Sequence, residues 1–253
     1  MDTPRTDHRV AALVALKPLP TAKSRLSGLS DAHRMHLARC MALDTIAALA
    51  TATDEVLVVT DQSDFATALS EHGITARVVN EPPQLQRAEE RSAGEGESSL
   101  NAALTYGDQL LRAAGVDVVL ACVGDLPALR PGSVRRLLSS AAELAATGRP
   151  RSFVADHTDN GTTMVIAHDL ALDPRFGSGT MGGSAERHRL SGAAPIATTD
   201  AVDARWDVDS LADLHVVAGL GVGPMTAALL EKLGVAASLP RESKVPSESK
   251  ASH

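Results

Sequence analysis

Aromatic residues are nearly missing from this chain, which has three phenylalanines, one tyrosine and one tryptophan among 253 residues. That scarcity excludes a row of stacking platforms for single-stranded nucleic acid and leaves the core to alanine, valine and leucine. Positive charge is also in deficit. The formal net charge of −7 argues against general affinity for nucleic acid and makes any local basic cluster conspicuous. No stretch approaches the ~18 consecutive apolar residues of a membrane-spanning helix, and the opening MDTPRTDHRV lacks the apolar core of a signal peptide. A cytoplasmic protein is therefore expected. Two cysteines, Cys40 and Cys122, share no motif spacing and are expected as buried free thiols. The absence of G-x-G-x-x-G and Walker A sequences weighs against hydride transfer and P-loop hydrolysis, and no Ser-His-Asp constellation is legible.

What is present is an alternation of strand-like and helical patterns. Apolar runs at 10–16, 55–60, 74–79 and 116–123 read as strands, and further strands are expected at 152–155 and 162–167. Helical patterns occupy 30–50, with Ser30 as cap, 65–72, and 98–114, with Ser98 or Ser99 as cap. Pro131 opens another helix in its first turn, and two more follow at 210–218 and 224–233. This rhythm predicts an α/β fold, a single three-layer α/β/α domain around a mostly parallel sheet. The domain is expected over 10–236, between a flexible N-terminus (1–9) and a disordered, polar tail (237–253), with a charged loop near 82–96. No internal repeat is visible.

Ligands of open α/β sheets bind beyond the carboxyl ends of the strands, and four stretches reach that edge. The first follows strand one, where a glycine-free turn carries Lys17, Lys23 and Arg25. Three cations there suit a polyphosphate, although a solvated basic turn would look the same. The second is Gly124-Asp125-Leu126-Pro127, where a carboxylate directly follows the most apolar strand and either closes a turn or meets a divalent metal. In the third, Trp206 to Ser210, Asp207 and Asp209 point to one side of an extended segment, while Asp209 could equally cap the next helix. The fourth pairs residues 159–163 with the glycine-rich run 176–188, whose hydroxyls, with Arg187 or His188, could hold a small anion. Together these describe metal-assisted phosphoryl chemistry, with no single motif deciding it.

Taken in order, Ala15-Leu16-Lys17-Pro18 with Ala22-Lys23-Ser24-Arg25-Leu26, then Leu100-Asn101-Ala102-Ala103-Leu104, Gly124 to Leu129, Asn160-Gly161-Thr162-Thr163, Phe176-Gly177, Ser184 to His188 and Asp207-Val208-Asp209 form a pattern running from about residue 10 to 223. It resembles the 2-phospho-L-lactate or phosphoenolpyruvate guanylyltransferases of coenzyme F-420 biosynthesis. The resemblance implies a nucleotidyltransferase fold similar to nucleotide-diphospho-sugar transferases (glycosyltransferase A) and to molybdenum-cofactor guanylyltransferases. It implies Mg²⁺ on Asp125, Asp207 and Asp209, and the GTP triphosphate facing Lys17, Lys23 and Arg25, with Asn101 also on the nucleotide. The catalytic set would be Lys17, Lys23, Arg25 and Asp125. The phosphate of the three-carbon phospho-acid would sit at Thr162, Gly177 and Ser184. Two departures stand out: Ser99 replaces the family's glycine before Leu-Asn, and the loop from Gly177 to Ser184 is longer than usual. The implied partners are GTP and the phospho-acid, with no nucleic acid and no membrane; a homodimer is compatible with the pattern. The alanine- and arginine-rich composition favours phosphoenolpyruvate over 2-phospho-L-lactate by association. A molybdenum-cofactor or sugar-nucleotide transferase, or a nucleotide-binding module without catalysis, stays open at this point.

Overall fold

The computed structural model describes residues 8–16, 26, 29–82, 96–177 and 182–234. The expected flexible N-terminus falls almost wholly outside these residues, and the expected tail and most of the charged loop fall outside as well. Among the described residues, seven strands form one sheet: β1 (Val10–Ala15), β2 (Glu55–Val59), β3 (Arg77–Val79), β4 (Val118–Cys122), β5 (Arg151–Ala155), β6 (Thr162–His168) and β7 (Ala194–Pro195). Their spatial order is β3-β2-β1-β4-β6-β5-β7. The strands β3, β2, β1 and β4 run parallel, β6 is antiparallel to both β4 and β5, and β7 pairs in parallel with β5.

Helices α1 (Asp31–Ala52), α2 (Phe65–Glu71), α3 (Gly96–Ala113), α4 (Pro131–Ala146), α5 (Ser184–Leu190), α6 (Leu211–Leu220) and α7 (Pro224–Lys232) cover the sheet. Because the central strands are buried on both faces, alternate residues feed two cores. Ala12, Val14, Val58, Leu120 and Ile166 pack with Leu43, Ile46 and Leu49 of α1 and with Val134 and Leu137 of α4. Leu13, Val59, Val119, Ala121 and Val165 pack with Leu104 and Leu111 of α3 and Ala185 of α5. A third, smaller cluster joins Leu37 and Met41 of α1 to Val208, Leu214, Val217, Leu229 and Leu230, docking α6 and α7 beside the sheet.

Several boundaries differ from the sequence pattern. Helix α3 starts at Gly96, ahead of both serines proposed as caps, and Ser99 is buried within it. The third strand shrinks to Arg77–Val79 at the sheet edge. The cap before α6 is Ser210, not Asp209: its hydroxyl accepts from the Asp213 N–H while the Asp213 carboxylate accepts from the Ser210 N–H at 2.7 Å. Ser30 caps α1 as expected, and both cysteines are buried free thiols.

Candidate active site

The order of the strands creates a break. From β1 the chain steps outward to β2 and β3, and β4 then returns to β1's other side, so the carboxyl ends of β1 and β4 flank the switch point where α/β crevices open. A cavity of about 350 Å³ lies there, lined among others by Leu16, Arg39, Val123, Asp125, Phe176 and Asp207. The antiparallel β6 matters to the same rim. Reversing its direction brings its first residue, Thr162, to the edge where β4 ends, and Val123 N–H donates to Thr163 C=O at 3.0 Å.

Three carboxylates converge at this edge. One ligand oxygen of each of Asp125, Asp207 and Asp209 lies within 4.8 Å of the others, with Asp125 and Asp207 partly buried and Asp209 exposed. Local sequence explains the convergence. Val208, fully buried in the third cluster, alternates with the two acids, so its anchoring turns both to the opposite side. Its N–H donates to the Asp125 carbonyl at 3.2 Å, joining segments far apart in sequence. The other side of Asp125 is fixed by Leu126 N–H, which donates to the buried Thr45 hydroxyl at 3.1 Å. Gly124 permits the close packing of this turn, because a Cβ there would lie 2.5 Å from Cδ2 of Leu16. Residue 44 serves the neighbouring element: the buried Asp44 carboxylate accepts from Met225 N–H at 3.1 Å and Thr226 N–H at 2.8 Å, seating α7. Oxygen donors at this spacing suit a hard divalent cation.

Trp206 extends this segment by stacking on His157, with ring centroids 4.0 Å apart and planes 9° from parallel. The His157 Nδ1 lies 4.0 Å from an Asp207 oxygen. Arg205 donates to the Asp156 carbonyl and ion-pairs with Asp159, tying the turn before β6 to the acid-bearing segment.

Phe176 forms one wall of the cavity and is held by an amide embrace. Asn101 Nδ2 donates to its carbonyl at 3.1 Å, and its N–H donates to Asn101 Oδ1 at 2.9 Å. Asn101, expected on the nucleotide, is thus engaged through both ends of its amide in shaping the wall. Arg187 donates to the carbonyls of Gly182 (2.7 Å), Arg175, Phe176 and Gly177; its guanidinium thus ties Arg175–Gly177 to Gly182. His188 is not an anion-binding cation. Its ring is fully buried, stacked on Phe153 and edge-on to Phe176, each at 5.6 Å.

Burial, aided by the nearby Arg187 and Arg175, pushes the His188 imidazole from its usual 6.5 down to about 4, against opposing pulls from the Ser184 backbone and Asp173. The sign follows directly. Between these values an unfolded chain binds a proton at this residue and the folded chain does not, so stability falls as pH drops from about 6.5 towards 4. The loss should reach about 3 kcal/mol, and urea melts at pH 7 and pH 4.5 should show it. A His188→Phe variant that lost stability over this interval as steeply as the wild type would rule the group out. Burial likewise drives the Cys40 thiol up to about 11 and Cys122 well above its ordinary value, which makes both poor nucleophiles at neutral pH.

Thr162 and Ser184 are both buried and Gly177 lies in a left-handed turn (φ 93°). Thr162 meets the cavity wall indirectly, through His188 and Phe176. The three acids and the Thr162–His188 region therefore come to one rim. Lys17, Lys23 and Arg25 lie outside the described residues; in sequence Lys17 follows the cavity-lining Leu16. The Thr162–His188 link was not legible in sequence, although the histidine's place one helical turn after Ser184 was a usable signal.

Comparison with known proteins fits this geometry. The family described as Guanylyl transferase CofC like matches residues 10–251. A phosphoenolpyruvate guanylyltransferase from Streptomyces scabiei (strain 87.22) is 43% identical over 226 residues, covering 87% of this chain and 95% of that relative. Phosphoenolpyruvate guanylyltransferase 1 from Rhodococcus jostii (strain RHA1) is 39% identical over 235 residues, covering 89% and 94%. A crystal structure named as a nucleotide-diphospho-sugar transferase from Desulfovibrio desulfuricans G20 superposes with a TM-score of 0.62 at 15% identity, covering 91% of this chain and 97% of that one. That last likeness speaks for the fold alone.

Proposed function

The chain belongs to the Guanylyl transferase CofC like family, and from that premise we propose that it transfers GMP from GTP to phosphoenolpyruvate. The products would be enolpyruvyl-diphospho-guanosine and pyrophosphate. The observation that carries this reading is the meeting of three carboxylates at the switch-point rim, in a chain 43% identical to a relative named for that reaction.

A phosphate oxygen of phosphoenolpyruvate attacks the α-phosphorus of GTP in line. The new O–P bond forms as the bond from the α-phosphorus to the α,β-bridging oxygen breaks, and pyrophosphate leaves with that electron pair. The attacking phosphate is already anionic near neutral pH, so no general base is required. The obstacle is the approach of two anions. Asp125, Asp207 and Asp209 would hold Mg²⁺, which when bound supplies charge neutralisation worth several kcal/mol. Lys17, Lys23 and Arg25 would meet the triphosphate and share that work by fixed charge. Thr162, Gly177 and Ser184 would receive the phospho-acid, with Asn101 keeping Phe176 in place between the two halves of the site.

The test incubates the protein with GTP, Mg²⁺ and either phosphoenolpyruvate or 2-phospho-L-lactate, and measures released pyrophosphate. Release with phosphoenolpyruvate is the expected result; release with 2-phospho-L-lactate alone would transfer the assignment to that acid, and none with either would refute guanylyl transfer. Lys23→Ala should raise the KM for GTP roughly tenfold by removing one charge-assisted contact, while an unchanged KM and kcat would remove Lys23 from the nucleotide site.

A further inference from the structure

His188 has its two ring nitrogens in different bonds. The Arg175 backbone N–H donates to Nε2 at 2.9 Å, and a backbone amide can only donate. Nε2 therefore carries the lone pair, and the ring proton resides on Nδ1. That nitrogen lies 3.0 Å from Oγ1 of Thr162. A protonated nitrogen cannot accept from the hydroxyl, so Nδ1–H faces the threonine oxygen as donor, with the Ser184 carbonyl as a second acceptor beside it. Thr162 Oγ1 then accepts through one lone pair, and its own proton must be directed elsewhere.

We propose that His188 is a positioning residue for the phospho-acid, whose Nδ1–H occupies the Thr162 oxygen and so commits the threonine hydroxyl to donate to the substrate phosphate. This rests on the reading of Thr162 as a phospho-acid contact. The ring's surroundings fix the arrangement. Phe153 stacks on the imidazole at 24° between planes and Phe176 meets it edge-on at 78°, so it cannot flip without repacking both. Both rings are buried, as is Thr162. Burial also holds the imidazole neutral through the physiological range, which keeps Nε2 able to accept from Arg175. Because Phe176 also walls the acid cavity, the histidine links the phospho-acid contact to the wall of the nucleotide side. Tautomer and hydroxyl direction are thus set by one backbone donor, at Arg175.

The experiment has two arms on the intact chain. In the first, nitrogen NMR on imidazole-labelled protein should find His188 with Nδ1 protonated and Nε2 bare from pH 5.5 to 8; the opposite tautomer would overturn the proposal whatever the activity. In the second, His188→Phe should raise the KM for phosphoenolpyruvate about tenfold while the KM for GTP stays within about twofold. His188→Asn, which can return an N–H to the Nδ1 position, should recover most of that loss, and it serves if the phenylalanine variant fails to fold. In a Thr162→Val background the same two changes should alter the KM no further. An unchanged KM for phosphoenolpyruvate in both His188 variants of an active enzyme, or equal rises for both substrates, would overturn the positioning role and leave guanylyl transfer standing. A wild type that released no pyrophosphate would overturn both.

Discussion

Turnover by an Asp125→Asn variant is expected to fall about a thousandfold, equivalent to roughly 4 kcal/mol of lost transition-state stabilisation, with the fold preserved. The amide keeps the side chain's shape and removes its charge. Two bonds that position this turn are made by the backbone and survive the substitution: the Asp125 carbonyl receives Val208 N–H and Leu126 N–H reaches Thr45. A second readout bypasses turnover. Trp206 is the chain's single tryptophan, stacked on a histidine whose Nδ1 is 4.0 Å from Asp207. Titrating wild-type protein with Mg²⁺ should therefore shift its emission saturably, and the variant should need at least roughly tenfold more of the ion, as expected when one charged ligand is lost. Near-normal turnover in Asp125→Asn would detach this residue from the reaction.

Gly183→Ala should have the next largest effect, and for a different reason. A Cβ at Gly183 would fall 2.0 Å from the Asn160 backbone carbonyl oxygen and 2.3 Å from its side-chain oxygen, distances that only a backbone shift relieves. That carbonyl also accepts from Ala185 N–H at 3.1 Å, so the shift carries the start of α5, with Ser184, away from the turn that leads into Thr162. A displacement near 1 Å at a substrate contact can cost up to a hundredfold; the KM for phosphoenolpyruvate should rise by roughly ten- to a hundredfold. Overpacking of this kind also destabilises by about 1–3 kcal/mol, or roughly 5 °C in melting temperature for a chain of this size. Gly219→Ala supplies the contrast. Nothing lies within 4 Å of its Cβ position in α6, so it should stabilise by up to about 1 kcal/mol and leave kinetics unchanged. Equal kinetic constants for Gly183→Ala and wild type would mean that Ser184 is not where the phospho-acid binds.

How far the sequence led depended on whether a feature was local. Asp125 was legible because a carboxylate after an entirely apolar strand demands a reason, and Asp207 and Asp209 because an extended segment alternates its side chains. Strand β6 was found but not its direction. A strand buried on both faces carries the same apolar run whether it lies parallel or antiparallel, and the direction is decided by which neighbour it pairs with. That direction brings Thr162 to the rim, so the Thr162–His188 bond was hidden with it. The start of α3 was misplaced because serine is an equally plausible cap and helix-interior residue, and the burial of Ser99 is a tertiary fact. Strand β7, two residues long, has no pattern to detect. The basic turn was the most distinctive stretch of sequence, and it lies outside the described residues.

The seam between Val208 and Asp125 has a consequence for how the protein is made. Chains emerge from the ribosome amino end first, and strands β1 to β6 are all available once His168 is out. Two of the three acids arrive only with residues 207 and 209, and the apolar cluster that seats Val208 is completed only when α6 and α7 have been synthesised. The strands β1 to β6 are therefore synthesised before the cation-binding set is complete, and a polypeptide stalled short of Trp206 would carry Asp125 without Asp207 and Asp209.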